Sequence, residues 1–208
     1  KYRHKYDKAI KVFERVLNSD KAEEANKNIA MKQIADSYKE LGEYDKAEEL
    51  FKNSLAKKEA NGTANYFDYE KIAELFMDQA QELNGNDKID VLWKADAMYA
   101  KGAATDLQYA GYGYYYQIRI RSSIDEDNKK GLFLEPARKL YAMMLTKGTL
   151  EGDNKSFMIY ACQYLGQYYQ FTKKSPKEAK QYWLKLYETD PTNKNAILVL
   201  TKLYKMKL

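Results

Sequence analysis

Ile34-Ala35-Asp36-Ser37-Tyr38-Lys39-Glu40-Leu41-Gly42-Glu43-Tyr44-Asp45-Lys46-Ala47-Glu48-Glu49-Leu50-Phe51 sets a small residue three positions before an aromatic ring, then a glycine, then an alanine four positions before a second ring. Spacings of three and four put each pair on one face of a helix. Gly42 between them reads as the left-handed residue that closes the first helix. The stretch predicts two helices folded as a hairpin. The small residue lets them approach, and the ring fills the space beside it.

The same wording recurs along the chain. Ala9–Phe13, Ala47–Phe51, Ala95–Tyr99, Ala137–Tyr141 and Ala179–Trp183 repeat the second-helix pair at alanine spacings of 38, 48, 42 and 42. Ala35–Tyr38, Ala73–Phe76, Gly113–Tyr116 and Gly166–Tyr169 repeat the first-helix pair, each small residue preceded by an apolar or aromatic one. One hairpin cannot bury its apolar face alone and must stack on a neighbour. Pro136 and Pro176 fall at starts of second helices, where a missing N–H costs nothing, and Asp190-Pro191 ends another helix. Ten helices are expected, at roughly 2–18, 22–41, 44–59, 65–83, 88–102, 105–122, 133–146, 155–172, 176–189 and 193–206. The expected fold class is all-α, an α-solenoid of stacked helix-turn-helix repeats with a C-terminal capping helix; a right-handed superhelical sense is what a resemblance to known helical-repeat families implies.

Composition agrees and excludes several functions. The 208 residues contain three prolines and ten glycines, too few for a loop-rich β protein, and no apolar run long enough for a membrane span. One cysteine, Cys162, leaves no internal disulfide to build, and one histidine, His4, counts against a multi-histidine metal site or a Ser-His triad. The net charge of +5 is modest, but residues 1–15 carry six basic and two acidic side chains and residues 173–208 carry nine and three. Both ends read as helices with solvated basic faces rather than as a nucleic-acid site.

The repeat resembles the tetratricopeptide family, whose 34-residue consensus is a helical hairpin with small and aromatic residues at these places. Residues 28–61 match through Met31, Ile34, Ala35, Tyr38, Gly42, Tyr44, Ala47 and Phe51. Residues 159–192 match through Leu165-Gly166, Tyr169, Ala179, Trp183 and Asp190-Pro191. The two middle units are longer by roughly ten residues each, placed between their helices around Gln79–Lys88 and Arg121–Lys130. The resemblance implies one domain over 1–208: a half repeat at 1–20, repeats at about 22–61, 62–103, 104–147 and 155–192, and a capping helix at 193–207. Tyr6, Ala9 and Phe13 then belong to a second helix, and the register implies a first helix before it. Arg119-Ile-Arg-Ser-Ser-Ile-Asp125, with Lys130-Gly131-Leu132, Glu135-Pro136-Ala137 and Tyr164-Leu-Gly-Gln-Tyr-Tyr169, is similar to tandem repeats of envelope-associated tetratricopeptide proteins of Gram-negative bacteria. That likeness implies the periplasm or cell envelope, with the cytoplasm as the other reading.

In this family first helices line the concave side, and the resemblance assigns groove positions by register. They are Lys32, Asp36 and Lys39; Glu70, Glu74 and Met77; Ala110, Tyr114 and Gln117; and Gln163, Gln167 and Gln170. Such a surface could hold an extended peptide by backbone hydrogen bonds, with Tyr114 as an aromatic contact; a solvated face without a ligand is the other reading. The family's site for a C-terminal carboxylate uses Lys and Asn on first helices. Here Lys32 occupies one such position but Asp36 replaces the asparagine, so a carboxylate tail would meet a like charge. Tyr112, Tyr116 and Tyr169 fall on the core stripe, while Tyr114 and Tyr168 lie off it.

No residues spell a reaction. Gly111-Tyr-Gly113 lacks the Lys-Ser/Thr of a phosphate loop, and Asp125-Glu-Asp127-Asn128 reads as an interhelix loop because Lys129 stands where a calcium ligand belongs. Cys162 reads as a small buried apolar residue. The expected function is a non-enzymatic scaffold that binds a protein or peptide on the concave face, with no cofactor, no metal and no nucleic-acid partner. Two alternatives stand beside it: a structural or assembly subunit of an envelope complex or homo-oligomer, and the docking arm of a larger regulatory protein.

Overall fold

Gly42 takes φ +73°, and the Glu43 N–H reaches back to the Tyr38 carbonyl at 2.9 Å, so the hairpin turn closes as its sequence specifies. In the computed structural model, residues 3–208 are described and hold ten α-helices and no strand. The described residues form two compact units dividing after Asp106.

The first unit holds α1 (Arg3–Leu17), α2 (Glu24–Glu40), α3 (Tyr44–Ala60), α4 (Tyr66–Gln81) and α5 (Gly85–Thr105). Each packs on the next. Tyr44 at the start of α3 bonds Glu82 just past the end of α4, and Lys58 near the end of α3 lies 2.5 Å from Asp68 in the first turn of α4. Neighbours therefore run antiparallel. Lys39 and Asp78, both in the last turns of α2 and α4, pair at 3.1 Å, so these two first helices run parallel, as a repeated hairpin requires. Asn65 caps α4 by accepting the Phe67 N–H while Asp68 accepts the Asn65 N–H, a reciprocal box. Only residues 82–84 separate α4 from α5. The extra length expected as a loop around Gln79–Lys88 is helical instead, and α5 reaches 21 residues.

The second unit holds α6 (Ala110–Ile124), α7 (Leu134–Leu145), α8 (Gly152–Gln167), a π-helical turn (Tyr168–Thr172), α9 (Pro176–Thr189) and α10 (Lys194–Lys202). Here the extra length is a loop. The buried Asp125 carboxylate accepts the backbone N–H groups of Lys130 and Gly131 at 3.2 and 2.7 Å, which folds residues 125–131 onto the end of α6. α8 was expected to run unbroken to 172. Its last turn widens because adjacent rings are both buried: Tyr168 meets Phe133 edge-on, and Tyr169 stacks on Tyr182 at 5.6 Å. α10 stops at Lys202, short of the expected 206, and Lys205 adopts φ +54° as the chain turns back.

The residues that carried the repeat form the core. Ala35, Ala47, Ala73, Ala95, Ala137 and Ala179 are each 0 % exposed. A Cβ on Gly166 would stand 2.9 Å from the Trp183 ring, the close helix approach that the small residue permits. Ala9 and Phe13 are only half-buried in α1, which packs mainly on α2.

Candidate ligand surface

In the first unit α2 and α4 present the expected register. Lys32 and Glu74 are exposed, and Asp36, Lys39, Glu70 and Met77 are half-buried. Burial pulls the Lys39 ammonium down, but its pair with Asp78 together with the charges of Glu40 and Asp36 leaves its pKa raised. Burial pushes the Glu70 carboxyl up, and the neighbouring Glu74 charge adds to that. Lys32 lines a groove of about 200 Å³ with Ile29 on α2, Leu50 and Ser54 on α3, and Lys71 on α4. Ile29 is 57 % exposed there.

The second unit departs from the expected register on α6. Gln117 is 4 % exposed and Ala110 2 %, so neither offers a surface. Tyr114 turns toward its own hairpin partner, with the Lys139 ammonium 5.9 Å from its ring. The reason is the packing of Gly111. Gly111 takes the close approach: a Cβ there would stand 2.9 Å from Phe157 of α8 and 3.8 Å from Leu140 of α7. That rotation brings Tyr112 and Tyr115 toward α8. Tyr112 donates to Asp153 and meets Phe157 edge-on at 5.0 Å.

Tyr115, Tyr160 and Tyr164 then form a continuous strip across the two first helices. Ring centroids stand 4.6 Å apart for Tyr115–Tyr160 and 4.8 Å for Tyr160–Tyr164, whose hydroxyls lie 3.3 Å apart. Burial, then the Tyr164 hydroxyl, holds the Tyr160 phenol well above its ordinary range. Arg119, exposed, lies 5.7 Å from the rings of both Tyr115 and Tyr116. The strip ends at a hollow of about 320 Å³ lined by Asn128, Phe133, Tyr164, Gln167, Tyr168 and Phe171. Gln167 is exposed there and Gln163 half-buried on the same helix, while Gln170 is engaged by Tyr204 at 2.5 Å. Chemically the face offers amide groups, phenol hydroxyls, ring faces and one guanidinium. Cys162 is wholly buried, and burial pushes its thiol up to about 12, so it is no nucleophile at neutral pH. Among the described residues no helix is long and apolar enough to cross a membrane.

Comparison with known proteins bears on the hairpin formed by α2 and α3. Residues 30–63 match the family model of the tetratricopeptide repeat. Over that hairpin the chain is similar to the tetratricopeptide repeat. This match covers the stretch whose small and aromatic residues are buried as described above, and repeats of this family mediate protein–protein interaction. Among solved structures, the C-terminal part of a TPR repeat-containing protein from Cytophaga hutchinsonii is similar at 20 % identity, covering 95 % of this chain and 98 % of that one, with a TM-score of 0.39. At that score the likeness adds nothing to the fold argued above. No curated protein matches the sequence.

Proposed function

We propose that the protein is a non-enzymatic scaffold that binds a protein or peptide on the first-helix face of its hairpins, the side that lines the concave surface in tetratricopeptide repeats. The observation that carries this is the Tyr115–Tyr160–Tyr164 strip with Arg119 above it and the Gln167 hollow at its end. Rigid phenol rings give contact area at little cost in side-chain entropy, and amides beside them pair with a peptide backbone. An extended segment with an apolar or aromatic anchor for the hollow fits this surface. In the first unit, Lys32, Asp36, Glu70 and Glu74 offer a charged face of mixed sign, which selects a partner more than it holds one.

A displayed peptide library selected on the purified protein tests the proposal. Arg119→Glu and Gln167→Ala, both at exposed positions, should weaken selected peptides by about tenfold or more while leaving the melting temperature unchanged. Selection of no peptide, together with a mass that rises with concentration, would favour the homo-oligomeric assembly reading instead.

A further inference from the structure

The C-terminal edge of the second unit gathers positive charge and exposed apolar side chains. After α10 the chain folds back: the Met206 N–H donates to the Leu200 carbonyl at 3.0 Å. The Tyr204 hydroxyl donates into the fork between Gln170 Oε1 at 2.5 Å and the Pro176 carbonyl at 2.9 Å. The Lys180 ammonium lies 5.6 Å over the Tyr204 ring. This contact brings the segment with Lys202, Lys205 and Lys207 beside the one with Lys173, Lys174 and Lys177. All six lysines are exposed, and none is ion-paired with a carboxylate of the described residues. Glu178, in the first turn of α9, is the acidic residue closest to them in sequence. Within the same segments Phe171 is 62 % exposed, Leu198 57 %, Leu203 53 % and Leu208 47 %.

We infer that this edge docks onto an anionic lipid surface. Scattered exposed leucines are ordinary, but here they alternate with unpaired lysines, so the occupant has to satisfy both. A nucleic-acid backbone would take the ammonium groups and leave Leu203, Leu208 and Phe171 in water. A second copy docked through the same edge would meet the same lysines. An anionic bilayer accepts both kinds of group: ammonium groups settle among headgroup phosphates while apolar tips reach the acyl boundary. The chemistry is lysine alone, with no arginine in residues 173–208. Compact charges on flexible stems suit a diffuse anionic surface rather than a fork-shaped phosphate site.

Co-sedimentation of the full chain with sucrose-loaded vesicles tests this, comparing pure phosphatidylcholine with phosphatidylcholine containing one-third phosphatidylglycerol. The anionic vesicles should bind at least about tenfold more protein, and added salt should release it. Two variants separate the contributions: Lys202→Glu/Lys205→Glu/Lys207→Glu, and Leu203→Ser/Leu208→Ser. All five side chains are exposed, so both variants should keep the parental helix signal and melting temperature, and each should lose most of the binding. Equal binding to both vesicle types, or binding indifferent to either variant, overturns the inference. It is also overturned if polyglutamate or duplex DNA is captured as well as the vesicles are and the serine variant binds like the parent. That result would make the edge a general polyanion site.

Discussion

At the scale of single residues, two positions hold the account together by different physics. Gly166 lies against Trp183, where an added Cβ would come within 2.9 Å of a buried ring, so Gly166→Leu forces the hairpin apart. The expected loss is on the order of 1–3 kcal/mol or more by thermal or urea unfolding, and unchanged stability would mean that α8 and α9 pack in another register. Asp125 is 3 % exposed and binds the backbone of its own loop through both carboxylate oxygens. Asp125→Ala strands those N–H groups and should cost roughly 2–3 kcal/mol, with faster proteolysis near residues 126–131. The first residue was legible in the sequence, because a small residue before a ring at helical spacing has one structural use. The second was legible as a loop residue only. Its bonds close over five and six positions through irregular backbone, and no periodic pattern records that.

At the scale of elements, most helices stand where spacing placed them, and the departures share one cause. Periodicity locates a face well when apolar and polar residues alternate cleanly. On α6 tyrosines occupy nearly every face, so packing of Gly111 against Phe157 and Leu140 decides which of them turn toward α8. Tyr115 therefore meets Tyr160 of α8, while Tyr114 lies beside Lys139 of α7. Gln167, beside the close-packed Gly166, is exposed on α8 as its spacing suggests. The end of α10 depends likewise on a contact that the sequence does not announce, the Tyr204 hydroxyl against Gln170 and Pro176. Tyr204→Phe should cost about 1 kcal/mol and selectively raise amide hydrogen exchange across residues 194–206, with α8 amides unaffected. Uniform acceleration throughout the second unit would show that the capping segment does not open on its own.

At the scale of the whole molecule, buried phenols and the one thiol set a dependence on alkaline pH. Burial, helped by the bond to Glu82, pushes Tyr44 up to about 12, and burial first of all raises Tyr141 and Cys162 to about 12 as well. Ordinary values are 10.0 for the phenol and 9.0 for the thiol, so between these and 12 the folded chain keeps protons that the unfolded chain has released. Stability from these groups is complete below about pH 9 and declines as pH rises toward 12. The melting temperature followed by circular dichroism should be level from neutral pH to about 9 and fall beyond it, and a rise there would contradict the burial.

If a partner lies on the first-helix face of the hairpins, as proposed, side chains there touch it. A photo-crosslinking side chain placed at exposed Gln167, and in a separate variant at exposed Ala142 on the second helix α7, measures this directly in lysate of the source cells. A discrete crosslinked protein is expected from position 167, competed away by a selected peptide, and no such band from position 142. A band from 142 alone, or the same bands from both, would contradict it.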